Sequence, residues 1–272
     1  MPPADLHMHS TFSDGLLTPT QLAEECAAQE LGLCVLTDHD TLGGFTEFQA
    51  ACDELGIQTF TGIELSTNYH GASFHVLGYG VDPDNSQLQA HLKQTITNRK
   101  NRMLRILEKL SSLGIELALD GFVRNDEDAR FGRPQIADAL VAGGFVADFR
   151  EAFQKYLGSR GSAYVPYEKI QADAAVRLIK SAGGQAVLAH PGLQNRDDLL
   201  AKLVEAGLDG LEVIHPEHSP ELVIHYEQMA PDFQLYTTGG SDYHARASDE
   251  GYLGKFSVSA SRIKGLLAKL HD

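Results

Sequence analysis

Residues 34–40 read CVLTDHD: an apolar run, Cys34 to Leu36, that ends at Asp38, His39 and Asp40. A short apolar run closed by polar side chains reads as a buried strand whose C-terminal end carries chemistry. The pattern recurs along the chain. The run around Leu6 in ADLHMHSTFSDG (4–15) ends at His7 and His9, with Asp14 following. TFTGIELS (59–66) delivers Glu64, ASFHVLGY (72–79) carries His75, GGQAVLAHP (183–191) ends at His190, and LYTTGGSDYH (235–244) ends at Asp242 and His244. Helical patterns alternate with these runs, at 44–55, 171–182, 196–206, 219–230 and 260–270. Another follows Thr18, where Thr18, Pro19 and Gln21 make a capping box with proline at the first helical position.

Alternating strands and helices predict an α/β fold with a mainly parallel sheet. An open doubly wound sheet also binds ligands at strand C-terminal ends. Convergence of so many strand ends favours a closed β/α barrel, whose site lies at that face. Residues 87–113 break the rhythm with one long helical stripe, followed by a loop and a further helix from about Pro134. The expected organisation is a barrel of 1–96 and 166–272 with a small, mostly helical insertion at 97–165.

His7 and His9 are two apart, so a strand places both imidazoles on one face. With Asp14, His39, Glu64, His75, His190, Asp242 and His244 at strand ends or facing inward, the set predicts metal binding. A tetrahedral zinc site uses four ligands, so nine residues suit two or three ions sharing a bridging carboxylate, for which Glu64 is the choice. Imidazole and carboxylate without thiolate suit Mn, with Fe or Zn as alternatives.

The formal net charge of -15 argues against a duplex-tracking surface but not against anionic substrates. No membrane-length apolar stretch, signal-peptide pattern or glycosylation sequon is found, and Cys26, Cys34 and Cys52 are scattered, so a reduced, cytoplasmic setting is expected. The oligomeric state is left open.

In order along the chain, D-L-H-M-H-S with S-D-G, T-D-H-D, G-I-E, H-V-L-G, A-H-P and G-S-D-Y-H resemble the polymerase-and-histidinol-phosphatase (PHP) family of metal-dependent phosphoesterases, over about 5–82 and 165–256. The GRP of the insertion and VIHPEHS at 213–219 resemble its bacterial branch of 3′,5′-nucleotide bisphosphate phosphatases and short-RNA 5′-to-3′ exonucleases. The resemblance implies a distorted barrel of seven β/α units and up to three divalent ions. It groups His7, His9, Glu64 and Asp242 around one ion, Glu64, His75 and His190 around a second, and Asp14, His39 and His244 around a third.

The expected chemistry is phosphate-ester hydrolysis by a metal-bridging hydroxide. Asp40 and His244 are candidates to protonate the leaving alkoxide, Asp40 alternatively orienting His39. Arg102 and Arg133 are candidate phosphate contacts, since arginine forks match phosphate oxygens and Arg133 opens a helix. Arg99 and Arg160 are weaker candidates, and on helices such residues also serve as solvated faces. His218 either lines the pocket or holds a turn, and Phe12 either stacks on a base or joins the core. His70, His91, His225 and His271 read as surface or packing residues. The substrate expected is pAp or a similar 3′,5′-bisphosphate. Short 5′-phosphorylated RNA is the alternative, followed by histidinol phosphate, and a non-catalytic metal-binding or polymerase-accessory module is the reading from another class.

Overall fold

The computed structural model describes residues 2–69, 71–117 and 132–270. His70, His271 and most of the loop expected before Pro134 lie outside them. The chain divides into two compact units, Met1–Ala90 with Lys169–Asp272, and His91–Glu168.

In the first unit β1 (Ala4–Met8) and β2 (Leu33–Leu36) form a parallel pair. A second sheet has the order β5-β3-β4-β6-β7-β8, from β3 (Gly62–Tyr69), β4 (Ala72–Tyr79), β5 (Ile170–Gln171), β6 (Gln185–Leu188), β7 (Gly210–Ile214) and β8 (Tyr236–Gly239). The architecture is therefore mixed α/β, in two sheets that are not closed into a continuous ladder. The mainly parallel expectation is corrected at β4, which runs antiparallel to both β3 and β6. Only residues 70–71 separate β3 from β4, far short of the dozen or more residues that a parallel crossover needs.

Single bridges span the gaps between the sheets. Residues beyond β2 meet β3 at His39–Glu64, and Met8 of β1 meets Tyr243 beyond β8. Gly240 lies so close to β1 that a Cβ there would collide with the backbone N and Cβ of His7. Glycine is thus the residue that lets the two chain segments touch.

Ala4, Leu6, Leu77, Tyr79, Val187, Val258 and Leu266 are buried together between the sheet and the C-terminal segment. A second core, with Met8, Leu22, Cys26, Cys34, Leu36, Phe48 and Cys52, joins the β1–β2 pair to α1 (Pro19–Ala28) and α2 (Phe45–Leu55). All of β1 and β2 is buried, as expected of strands covered on both faces. The capping box forms as read: Gln21 N–H donates to the Thr18 hydroxyl at 3.2 Å, and Thr18 N–H to Gln21 Oε1 at 3.0 Å.

The unit boundary falls inside α3 (Ser86–Ser112). The second unit has its own core, with Met103, Ile106 and Leu110 of α3 buried with Ile136 and Leu140 of α4 (Arg133–Ala142) and with Leu157 and Val165. The short α5 (Phe149–Ala152) and a π-helical turn at Phe153–Leu157 are additions to the elements expected there. The remaining helices are α6 (Ala172–Ser181), α7 (Leu200–Glu205), α8 (Pro220–Asp232) and α9 (Lys264–Leu270). No helix among the described residues is long and apolar enough to cross a membrane.

Candidate metal centre

Strand alternation sends Leu6 and Met8 into the apolar cores and His7 and His9 to the opposite face, where both imidazoles are fully buried. Glu64 enters from the middle of β3. Its Oε1 lies 2.9 Å from His75 Nδ1 and 3.2 Å from His190 Nε2, and its Oε2 lies 3.2 Å from both His7 Nε2 and His9 Nε2 and 3.1 Å from His39 Nδ1. Asp242 Oδ1 approaches the same two nitrogens, at 3.3 Å from His7 and 3.1 Å from His9. Asp14 Oδ1 lies 3.3 Å from His244 Nε2.

These donors form three overlapping groups, each within 4.8 Å: His9, Asp14, His39 and His244; His7, His9, Glu64 and Asp242; and His39, Glu64 and His75. The nine sequence-picked residues thus come together. The grouping differs from the one implied by resemblance in that His9 joins the Asp14 group and His39 the Glu64–His75 group, with His190 beside the latter at 3.3 Å from His75.

The donor set fits divalent ions on an observation of its own. His7 Nε2, His9 Nε2, Asp14 Oδ1, His39 Nδ1, Glu64 Oε2 and His190 Nδ1 are buried without a hydrogen bond of good geometry. Each such atom costs roughly 1–3 kcal/mol if left unsatisfied. Most of them converge on shared points and, once the imidazoles are deprotonated, offer lone pairs there, the arrangement that an ion satisfies. The cluster is not sealed from solvent: Asp242 and His75 keep 25% and 24% of their side-chain surface.

Backbone strain collects here. Asp40, His190 and Asp242 have φ of 55°, 30° and 48°, a left-handed region that non-glycine residues adopt at a cost and that concentrates at functional sites. Each follows or ends a strand run, and the turn swings the side chain off the strand path.

Electrostatics divide the imidazoles. Burial opposes charge on His7 and His9, but carboxylates outweigh it: Glu212, Glu64 and Asp242 hold His7 well above its ordinary value, and Asp242 and Glu64 push His9 up to about 10. Burial wins at His39, pushed down to about 3, and at His75, which is also lowered. Glu64, Asp14 and Asp242 stay well below the carboxylate range because neighbouring imidazoles outweigh their burial.

Other residues brace the donors. Asp38 accepts from Ser10 N–H at 2.7 Å and from the Ser10 and Ser13 hydroxyls at 2.6 Å, fixing the turn that leads to Asp14. Asp40 is buried and takes Ser66 N–H at 2.8 Å, which ties it to β3 beside Glu64. His218 spends both ring nitrogens on backbone: Nδ1–H donates to Val213 O at 2.9 Å and Nε2 accepts from Gly192 N–H at 3.1 Å. It therefore ties β7 to the turn at Pro191–Leu193 with a neutral ring.

Two residues escaped the sequence reading. Glu212, fully buried in β7, accepts from His7 Nδ1 at 2.9 Å and from His190 N–H at 2.8 Å. His215 accepts Glu217 N–H at Nδ1 (3.1 Å), which leaves Nε2–H to donate to Asp242 Oδ2 at 3.3 Å. The available signal was a carboxylate inside the apolar strand GLEVI, since an acidic residue is rarely buried without a partner.

In the second unit Arg102 Nε donates to Val165 O at 2.9 Å, its guanidinium 5.4 Å from the Tyr167 ring centre and 5.7 Å from that of Tyr164. Arg133, first residue of α4, donates to Leu157 O at 3.1 Å and lies over Phe153. Burial, with Arg133 and Arg99 nearby, lowers Arg102 to about 10. A cavity of about 410 Å³ is lined by Asn98, Asn101, Arg102, Arg105, Tyr167 and Glu168, with Pro166.

A mixed α/β fold carrying an imidazole–carboxylate cluster able to bind metal is what metal-dependent phosphoesterases share, and the relatives place the chain in that class. The PHP domain model matches residues 5–171, and the chain belongs to the PHP family. It is 37% identical to a 3′,5′-nucleoside bisphosphate phosphatase of Chromobacterium violaceum (89% of this chain, 87% of that one). It is 35% identical to a 5′-3′ exoribonuclease of Haemophilus influenzae (88% and 89%). Among solved structures, a candidate metal-dependent phosphoesterase from Bifidobacterium adolescentis superposes with a TM-score of 0.90 at 32% identity, covering 99% of this chain and 98% of that one. The chain is an enzyme, a phosphoric ester hydrolase.

Proposed function

We propose that the enzyme removes the 3′-phosphate of 3′,5′-bisphosphate nucleotides, converting pAp to AMP and phosphate. The observation that carries the reading is a second phosphate-suited group besides the imidazole–carboxylate cluster. Arg102 and Arg133, with Arg99 close in charge, are held by backbone carbonyls and aromatic rings in the second unit. Guanidinium groups fixed in this way bind phosphate oxygens bidentately and stack on bases. A nucleotide with two phosphates suits a chain that carries both kinds of group. The 37% identity to a bisphosphate phosphatase supports the same choice.

Two or three divalent ions, Mn before Fe or Zn, are the expected cofactors of His7, His9, Asp14, His39, Glu64, His75, His190, Asp242 and His244. When bound they would supply an acidified water and neutralise phosphate oxygens. Of the two candidate proton helpers, His244 keeps 17% of its side-chain surface exposed but turns Nδ1–H to Asp242 O at 2.8 Å, so it can protonate a leaving group only when Nε2 carries a proton instead of an ion, while Asp40 accepts Ser66 N–H from β3. We also read β1-β2-β3-β4-β6-β7-β8 as a distorted seven-strand barrel with the second unit as its insertion. The bridges His39–Glu64 and Met8–Tyr243 at the two seams support that reading.

Short 5′-phosphorylated RNA is the second reading. The 410 Å³ cavity supports it, because amides, arginines and Tyr167 suit a base and its phosphate, as does the 35% identity to an exoribonuclease. Release of phosphate and nucleotide by the Mn-loaded enzyme, compared across pAp, RNA dimers to pentamers, AMP and histidinol phosphate, tests both. Fast phosphate release from pAp with slow attack on RNA is expected. Nucleotide release from RNA at an equal or greater rate moves the assignment to an exonuclease, and turnover of histidinol phosphate alone removes both.

A further inference from the structure

Glu212 is a charged residue with no exposure, yet it is absent from the groups of donors that converge in the centre. Its two oxygens are divided between two other strands. Oε1 takes His7 Nδ1 of β1 at 2.9 Å, and Oε2 takes the backbone N–H of His190, just beyond β6, at 2.8 Å. We propose that Glu212 is a positioning residue for the metal centre, setting the tautomer of His7 and the strained peptide of His190 at once. This inference rests on the metal-binding reading of the cluster.

The argument for His7 is one of proton placement. A buried carboxylate against Nδ1 holds the ring proton on that nitrogen. Nε2, which faces Glu64 Oε2 and Asp242 Oδ1 at 3.2 and 3.3 Å, is then the nitrogen that gives up its proton and offers a lone pair when an ion binds. An imidazole ligand needs this form, and a carboxylate behind it raises its basicity. The argument for His190 is one of conformation. Its φ of 30° is unfavourable for a side chain with a Cβ. The charge-assisted bond from its N–H to Glu212 holds the turn that brings Nε2 to Glu64 at 3.2 Å. One carboxylate thereby couples two strands to a single geometry.

The test is a mutant cycle read by Mn affinity in chelator competition. Glu212→Gln keeps the size but loses the charge and one of the two acceptor oxygens. Its affinity should fall 10- to 100-fold, in the range for groups that orient metal ligands. His7→Asn should fall at least as far. Because Glu212 acts partly through His7 and partly through His190, the double variant should lose more than His7→Asn but less than the product of the two losses. The melting temperature and circular dichroism of the metal-free proteins are read in parallel. Should Glu212→Gln not fold, Glu212→Asp replaces it, with an intermediate loss of affinity expected. Wild-type affinity in either variant, or losses that multiply fully, overturns the proposal. If the wild-type chain bound no Mn and His7→Asn changed nothing, the metal reading itself would fall instead.

Discussion

Glu64 Oε1 lies 2.9 Å from His75 Nδ1, while the other oxygen of the same carboxylate faces His7, His9 and His39. One buried carboxylate thus touches most of the cluster. Glu64→Gln keeps its volume but removes the charge. We expect turnover to be abolished and bound metal to fall, with the loss of affinity exceeding the roughly 10- to 100-fold typical of outer contacts. Metal analysis of the purified variant alongside phosphate release checks this, and a variant with full metal content would remove Glu64 as the shared ligand.

The same crowding makes the metal a source of stability. Buried imidazoles and carboxylates without good hydrogen bonds destabilise the metal-free fold. An ion present at about 100 times its dissociation constant adds about 2.7 kcal/mol. For a chain of this size that corresponds to roughly 5–10 °C. Thermal melts with and without chelator should differ by that order, and identical melts would count against a preformed ion site.

Proton linkage gives a pH dependence with a definite sign. His9 is pushed up to about 10 in the metal-free protein, so its imidazole is protonated at neutral pH. A group raised in this way stabilises the metal-free fold below its ordinary value near 6.5, and that contribution is lost as pH rises through about 10. A metal ligand must instead be unprotonated. Binding at pH 7.5 should therefore release protons, and affinity should rise with pH up to about 10. His39, pushed down to about 3, is already neutral and contributes none. Calorimetric titration of Mn in buffers of different ionisation heat measures the number released, and heats independent of buffer would contradict the linkage.

The residues that were legible in sequence are those closing a strand-like run: His39 in CVLTDHD, His190 in QAVLAH, Asp242 in LYTTGGSD. Their type and position speak without tertiary knowledge. Glu212 was not legible in the same way, because its purpose depends on His7, 205 residues away. His215 stands within VIHPEHS, but its role is set by Asp242 on another loop. The antiparallel β4 was foreshadowed by the five residues, 67–71, between the runs 59–66 and 72–79, too few for a parallel crossover, yet the β/α rhythm of the rest of the chain masked it. The ion grouping was beyond sequence altogether, since rings from different strands interleave, with His9 and His244 stacked at 4.2 Å.

Replacing Arg133 tests the proposed substrate binding apart from metal binding. It belongs to the second unit, donates to Leu157 O at 3.1 Å and lies over the Phe153 ring, 5.2 Å from its centre. Its remaining guanidinium donors and its place at the start of α4 suit a phosphate. Arg133→Ala should raise KM for pAp about 10-fold or more, with bound metal unchanged. Because the lost carbonyl and ring contacts stabilise the second unit by roughly 1 kcal/mol each, a small decrease in melting temperature should accompany it. Arg133→Lys keeps the charge but not the fork, so KM should recover only in part. Kinetics equal to wild type in Arg133→Ala, in a protein that has melted a few degrees earlier, would assign Arg133 to packing alone and leave Arg102 to carry the second phosphate.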